Sequence, residues 1–285
     1  MYASYLSYIK FAFRHHWAVG AFNVSNLEQA QAVIAAAEKL KAPVLVNTSE
    51  KAIEYAGLNA LAAVVKILAK GVKTKVTLNL DHGRSYSIAA ACVKAGYNSV
   101  MVDGSRLPYR QNLLLTSRVV KLAHKHGIPV EGELGALGGK EDYISGKVRM
   151  TDPVQARDFV KKTKVDLLAI AIGNAHGIPQ AGEKLDFGRL KSIHLALPYQ
   201  PLVLHGASST PAKDLRRAIA AGVVKINIDT DLRLAFAKSI RKFLKNNPKI
   251  WDPREILSPT REAIQKVVEG KIKIFGSNNK SKQHA

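Results

Sequence analysis

The stretch Val76-Thr77-Leu78-Asn79-Leu80-Asp81-His82-Gly83, followed by the helical segment Ser85–Ala95 and Gly96, holds the repeating unit from which this chain is built. Val76–Leu80 has the length and residue types of a strand, and Asp81-His82-Gly83 leads out of it into a loop. The same succession of short apolar run and longer amphipathic run returns eight times. Strands are expected at Ala18–Val24, Val44–Asn47, Val76–Leu80, Ser99–Val102, Val130–Leu134, Leu167–Ile172, Leu202–Leu204 and Val224–Ile228. Between them, helices are expected over Leu27–Leu40, Leu58–Lys70, Ser85–Ala95, Leu113–His126, Pro153–Lys162, Phe187–Leu197 and Pro211–Ala221. Gly71, Gly96, Gly127 and Gly222 supply the stops between helix and next strand.

Near-continuous apolar strands alternating with helices imply a parallel sheet covered on its outer face. Eight such units close on themselves, so the expected fold class is α/β, a (β/α)8 TIM barrel with extra C-terminal helices. A doubly wound open sheet is the alternative, but no dinucleotide fingerprint follows the first strand. The length of 285 residues suits one domain spanning 1–285. Residues 1–17 read as a short helix capping one end of the barrel, residues 232–275 as a helical extension broken by prolines, and residues 276–285 as a frayed tail. Gly135 to Thr151 is a glycine-rich loop after the fifth strand, long enough to suggest a function.

With 47% hydrophobic residues the chain can bury a large core, and no apolar run is long enough to span a bilayer. The one cysteine, Cys92, sits on the apolar side of a helix, which excludes a disulfide framework and fits a cytoplasmic protein. The formal charge of +21 is partly concentrated from Lys238 onward, where 12 Lys/Arg face 4 Asp/Glu. That excess has no interleaved aromatic platform and no nucleic-acid motif, so nucleic acid is disfavoured as a partner. A generally basic surface that also steers an anionic substrate is the favoured reading.

In such a barrel, polar residues at the carboxyl ends of strands build the active site. Asn23, Ser49, Asp81, His82, Asp103, Glu133, His176, His205, Ser208, Asn227 and Asp229 stand there. His82, His176 and His205 each follow a strand and adjoin a glycine, so three imidazoles emerge at one rim. Three neutral imidazoles with an open fourth position are the ligand set of a catalytic zinc site. Asp81, preceding His82, should point to a different side and act as a general acid/base or as an orienter. Asp103 and Glu133 could hold a second cation or pair with nearby basic residues. Gly177 and Gly206 let backbone N–H groups approach an anion, and His205-Gly-Ala-Ser-Ser-Thr-Pro211 offers donors ahead of a helix. A Schiff-base lysine is disfavoured, because Lys164 and Lys225 lie at the wrong ends of their strands.

With these motifs assembled, the chain resembles the class II, zinc-dependent ketose-bisphosphate aldolases, close to the fructose-bisphosphate members. The resemblance runs from Ala18-Val-Gly-Ala-Phe-Asn-Val24 to Ile274-Phe-Gly-Ser277. It rests on Leu80-Asp-His-Gly83, Ser99-Val-Met-Val-Asp-Gly-Ser105, Glu131-Gly-Glu-Leu-Gly135 with Gly138-Gly-Lys-Glu-Asp142, Ile172-Gly-Asn-Ala-His-Gly177, Val203-Leu-His-Gly206 and Lys225-Ile-Asn-Ile-Asp-Thr-Asp231. It implies His82, His176 and His205 as Zn2+ ligands, Asp103 and Glu133 at a second divalent or monovalent cation position, and Asp81 and Glu141 as the two proton carriers. For the substrate, it implies Asn23, Ser49, Gly177, Gly206, Ala207, Ser208, Asn227, Ile228, Asp229 and Thr230. Arg261, in Ser258-Pro-Thr-Arg-Glu262, resembles an arginine that reaches a neighbouring subunit's substrate, which implies a homo-oligomer, dimer or tetramer. Ala207 and Ser209 stand where many fructose-bisphosphate members have glycine, and Lys51 stands where a glycine is common. The expected reaction is reversible cleavage of fructose 1,6-bisphosphate. Tagatose 1,6-bisphosphate cleavage is the near alternative, and a basic nucleic-acid- or surface-binding protein on an aldolase scaffold the distant one.

Overall fold

The computed structural model describes all residues except 143, 147, 178–183, 209 and 282–285, and the side chains of residues 7, 140, 141 and 144–146 also lie outside the description. Eleven strands and eleven helices are numbered in chain order among the described residues. Eight parallel strands close the barrel: β1 (Val19–Asn23), β2 (Val44–Ser49), β3 (Val76–Gly83), β4 (Ser99–Val102), β5 (Val130–Leu134), β8 (Leu167–Ile170), β10 (Leu202–Leu204) and β11 (Val223–Ile228). A small sheet of β6 (Gly138–Glu141), β7 (Ile144–Gly146) and β9 (Ala175–His176) stands at the rim. The outer layer consists of α2 (Leu27–Leu40), α4 (Leu58–Lys70), α5 (Tyr86–Lys94), α6 (Tyr109–His124), α7 (Pro153–Thr163), α8 (Phe187–Ala196) and α9 (Ala212–Ala220). The α/β barrel expected from the sequence is therefore the fold observed.

Strand periodicity divides the core in two. Side chains such as Val44, Leu78, Val100, Leu168 and Ile226 pack outward under the helices. Their neighbours in sequence face the lumen, where Val19, Ala21, Leu45, Met101, Leu167, Ala169 and Val203 form a small apolar floor. That floor rests on α1 (Leu6–Arg14), whose Tyr8, Ile9 and Ala12 plug the amino end of the barrel together with Tyr5 and Trp17. The Tyr8 hydroxyl meets Thr77 Oγ1 at 2.6 Å, so the plug has a polar anchor as well as an apolar one. Above the floor the lumen is polar: Asn47, Asn79, Ser99, Glu131 and Lys225 are all fully buried.

Beyond the barrel, α10 (Thr230–Asn246) and α11 (Pro253–Phe275) form the C-terminal extension, with α11 burying Ile264, Val268, Ile272 and Phe275 against the shell. Two expectations change here. Pro259 does not separate helices but lies inside α11, which opens on Pro253 behind an Asp252 cap. An interior proline removes one N–H from the ladder, a loss the 23-residue helix tolerates near its start. Residues 276–281, read as frayed, are tied to the barrel instead. Asn279 N donates to the Leu40 carbonyl at 2.8 Å, and Ser281 N donates to the Lys41 carbonyl at 2.9 Å. The last four positions of the expected tail lie outside the described residues.

The plug makes a stability prediction. Ile9→Ala removes a fully buried side chain and should cost about 2–5 kcal/mol in denaturant unfolding. Ile67→Ala, at 68% exposure, should change stability by less than about 0.5 kcal/mol.

Candidate active site

The site begins with an irregularity in β3. Its pairing with β4 shifts register between Leu80 and Gly83, and His82 within that bulge has a φ of 50°. A left-handed φ in a residue with a Cβ is strained, and a bulge re-aims side chains. As a consequence Asp81 and His82 both face the lumen, where they meet different groups. Asp81 accepts from Asn23 Nδ2 and from Asn227 Nδ2, each at 2.8 Å. His82 Nε2 lies 2.9 Å from Nδ1 of His205, and Asn227 Nδ2 is 3.1 Å from that same Nδ1.

Two of the three imidazoles, those of His82 and His205, are oriented by a carboxylate. Asp103 Oδ2 accepts from His82 Nδ1 at 2.9 Å, and Glu131 Oε1 accepts from His205 Nε2 at 2.7 Å. Those acceptors place the ring protons on the far nitrogens and leave the lone pairs of His82 Nε2 and His205 Nδ1 facing each other. His176 is brought in by β9, behind Asn174, whose side chain donates to the His205 carbonyl at 2.9 Å and accepts from Ile172 N. The ring centroids of His82 and His176 are 5.0 Å apart, and the ligating atoms of all three histidines fall within 4.8 Å of one another.

The electrostatics call for positive charge at this point. Burial would lower the pKa of His82, but Asp81, Asp103 and Glu133 around it push it up to about 10. Burial and the charge on His82 lower that of His205. Two lone pairs 2.9 Å apart need a cation or a proton between them, and the donor set, three imidazoles, is that of a divalent metal. The residues therefore fit a metal ion. A second group, His82 with Asp103 and Glu133, also gathers ligand atoms within 4.8 Å. Burial and Asp103 raise the Glu133 carboxyl well above the ordinary range, and its Oε2 has no hydrogen-bond partner among the described residues. That oxygen is suited to a second cation position.

Lys225 lies at the start of its strand, the wrong end for a Schiff-base lysine. The structure buries it in the lumen, where its Nζ donates to Glu131 Oε2 at 2.7 Å. Because β5 and β11 are not neighbours, this contact crosses the barrel interior. Burial opposes ionisation of Glu131, but Lys225 and His205 hold its pKa down to about 2. The chain Lys225–Glu131–His205 thus fixes one imidazole from below.

The rim residues divide. Asn23, Ser49 and Asp229 line a cleft of about 480 Å³ with Lys51, Asp142 and Arg233. Arg233 joins Asp229 (2.7 Å) to Asp142 (3.0 Å), and Ser49 Oγ donates to Asp142 at 2.6 Å. Arg233 and Asp142 were missed by the sequence reading, although Arg233 lies four residues after Asp229 on the first turn of α10. Gly177 and Gly206 have φ of 87° and 60°, and a Cβ on Gly206 would meet the Ala175 carbonyl at 2.2 Å. Ala207 is buried and does not take a left-handed φ, so its methyl is tolerated at this position. Ser208 Oγ accepts from the backbone N–H of Asp229 and of Asp231, both at 3.3 Å. Ile228 faces the outer core, so only its backbone can reach a substrate. Thr230 opens α10. Arg261 lies on α11 with Gln31 (3.3 Å) and does not line the cleft. The loop after β5 is a β-hairpin, with Gly138 and Gly139 of β6 paired to Ala175 and His176 of β9. The side chain of Glu141 and all of Ser209 lie outside the described residues.

Lys225→Met should destabilise the protein by about 3–5 kcal/mol in denaturant unfolding, because it strands a buried carboxylate. Adding Glu131→Gln should recover most of that loss. In the parent protein the Glu131 carboxylate is held below its ordinary 4.5, so its contribution is complete above pH 4.5 and fades as pH falls towards 2.

The sequence profile of the family described as "Fructose-bisphosphate aldolase class-II" matches residues 3–280. The fructose-bisphosphate aldolase of Geobacillus stearothermophilus is 43% identical over 277 residues, covering 95% of this chain and 96% of the relative. The probable fructose-bisphosphate aldolase of Bacillus subtilis (strain 168) is 42% identical over 270 residues, covering 93% and 94%. The crystal structure of the YdjI aldolase from Escherichia coli K12 superposes with a TM-score of 0.88 at 33% identity, covering 99% of this chain and all of that one. On this evidence the chain belongs to the class II fructose-bisphosphate aldolase family, whose members are metal-dependent carbon–carbon lyases.

Proposed function

We propose that this chain cleaves fructose 1,6-bisphosphate reversibly to dihydroxyacetone phosphate and glyceraldehyde 3-phosphate, with Zn2+ as its metal. The observation that carries the reading is one carboxylate, Asp81, pinned by Asn23 and Asn227 beside three converging imidazoles. His82, His176 and His205 would hold the ion, and Asp103 and Glu133 a second cation. When bound, a divalent ion supplies Lewis-acid polarisation of the ketose carbonyl.

Asp81 takes the proton from the C4 hydroxyl. The C3–C4 bond then breaks, its electron pair moves towards the carbonyl side, and C4 becomes the aldehyde of glyceraldehyde 3-phosphate. Glu141, carried on the β6–β7 hairpin, returns a proton to the former C3 of the ketose, which becomes the hydroxymethyl carbon of dihydroxyacetone phosphate. Asp142 docks that hairpin on Ser49 and Arg233, which shields the cleft from water. Gly177, Gly206, Ala207 and Ser208 offer backbone and hydroxyl groups to the triose phosphate, and Asn227, Ile228, Asp229 and Thr230 contact its oxygens from the α10 end. The formal charge of +21 favours the approach of a doubly phosphorylated sugar.

Arg261 is exposed, and its side chain is held only lightly by Gln31. We assign it to the far phosphate in a neighbouring subunit's site, so the working form is a homo-oligomer. Among the described residues no single helix is long and apolar enough to cross a membrane, and the fully buried Cys92 supports a reducing cytoplasm as the compartment.

The test is a coupled cleavage assay on fructose 1,6-bisphosphate and its C4 epimer, tagatose 1,6-bisphosphate, with chelator and with zinc add-back. Activity should vanish on chelation, return with zinc and favour the fructose epimer. Asp81→Asn should lower kcat roughly 100- to 10,000-fold with the metal retained. Full activity after chelation would contradict the mechanism, and preference for the other epimer would contradict the substrate.

A further inference from the structure

Behind Asn23 and Asp81 the lumen holds a hydrogen-bonded ladder whose further members, Asn47, Asn79 and Ser99, have no part in the chemistry above. Asn23 of β1 is in register with Asn47 of β2, Asn47 with Asn79 of β3, and Asn79 with Ser99 of β4. Four adjacent parallel strands therefore present polar side chains at matched positions inside the barrel. They bond in one direction. Ser99 Oγ donates to Asn79 Oδ1, at 2.5 Å. Asn79 Nδ2 donates to Asn47 Oδ1 at 3.0 Å, and Asn47 Nδ2 donates to Asn23 Oδ1 at 3.2 Å. Asn23 Nδ2 then donates to Asp81 Oδ2 at 2.8 Å. Asn47, Asn79 and Ser99 are fully buried, and Asn23 is 6% exposed.

Three buried amides are a costly way to fill a barrel. Each loses its water, and an unmatched one is destabilising, whereas leucine or valine would pack without that risk. What the amides provide is polarity. Free rotation of Asn23 would let its amide turn over and present oxygen to the Asp81 carboxylate, a repulsive contact. Asn47 prevents this by occupying the Asn23 oxygen, Asn79 fixes Asn47 in the same way, and Ser99 fixes Asn79. Dipoles aligned head to tail also strengthen one another in a low-dielectric interior.

We propose that Asn47 and Asn79, with Ser99 at the root, are positioning residues that hold the Asp81 carboxylate in its proton-accepting orientation through Asn23. This rests on the role given to Asp81 above. None of the three touches the rim; they act across three strands on the one group that takes the C4 hydroxyl proton. Their loss should therefore injure carbon–carbon cleavage, while leaving metal binding and the proton exchange on the triose carbon, which belongs to the hairpin side of the site.

The experiment compares holoenzyme variants Asn47→Leu, Asn79→Leu and the double variant, each checked for metal content. Two rates are measured: cleavage of fructose 1,6-bisphosphate, and solvent exchange of the carbon-bound hydrogen of dihydroxyacetone phosphate. Asn47→Leu should lower kcat for cleavage roughly 10- to 100-fold with KM within about twofold, since the carboxylate is displaced without loss of substrate contacts. Exchange should stay within about threefold of the parent rate. Because the ladder works in series, Asn79→Leu added to Asn47→Leu should cost little more than Asn47→Leu alone. Asn47→Ser keeps a short donor and acceptor and should fall between the two; it also serves if the leucine variant does not fold. Parent-like cleavage in both single variants, a parallel fall in exchange, or additive losses in the double variant would each overturn the ladder's role. Asp81→Asn separates the two claims: if it abolishes cleavage while Asn47→Leu cleaves normally, the ladder fails alone; if it cleaves normally, the reading of Asp81 fails and the ladder with it.

Discussion

The fold of this barrel depends on neutralising charge that has been placed where water cannot reach. Glu131 and Lys225 meet across the lumen at 2.7 Å, both fully buried. Taken singly, either charge would cost several kcal/mol to desolvate. Paired, they form a base on which His205 is set in one tautomer and one orientation. The same logic continues upward. Once Glu131 is cancelled by Lys225, Asp81, Asp103 and Glu133 leave the rim short of positive charge, and His82 becomes strongly basic in response. The metal site is thus the upper end of a charge-balancing column whose lower end is the ion pair. The apolar floor and the α1 plug matter because they keep that column dry.

Positioning at the rim is achieved by backbone as much as by side chains. The bulge that turns His82 inward also keeps Asp81 on the amides of Asn23 and Asn227. β9 carries His176 and pairs with β6, so backbone pairing ties the histidine to the hairpin. A Cβ on Gly139 would lie 2.0 Å from the His176 carbonyl, so only glycine permits that pairing. Asp142 then fastens the hairpin to the end of β2 through Ser49 and to the first turn of α10 through Arg233. The hairpin and His176 are therefore joined through the backbone.

Much of this was legible in the sequence, and the failures share a cause. Periodicity located every barrel strand, with Ser99–Val102, Val130–Leu134 and Leu202–Leu204 at the observed limits, because these runs are short, apolar and bounded by turns. Pattern also picked out the three histidines. It could not foresee the φ of 50° at His82, since a bulge depends on the register of two strands rather than on either one. The pairing of Lys225 with Glu131 across the lumen could not be foreseen either, because it joins two strands that are not neighbours. The hairpin β6–β7 read as a loop because its glycines carry no strand signal. α3 (Glu50–Ala56), capped by Ser49, was missed for want of a long apolar face. Asn47 and Asn79 looked like fillers in apolar runs; only their cross-strand register shows them to be one structure.

The central claim, that His82, His176 and His205 together hold the metal required for cleavage, is tested most directly by zinc K-edge X-ray absorption on the holoenzyme and on His205→Ala. The account predicts three imidazole nitrogens at about 2.0–2.1 Å in the parent protein and two in the variant, with cleavage lost alongside. An all-oxygen shell in the parent protein, or a shell unchanged by His205→Ala, would contradict it.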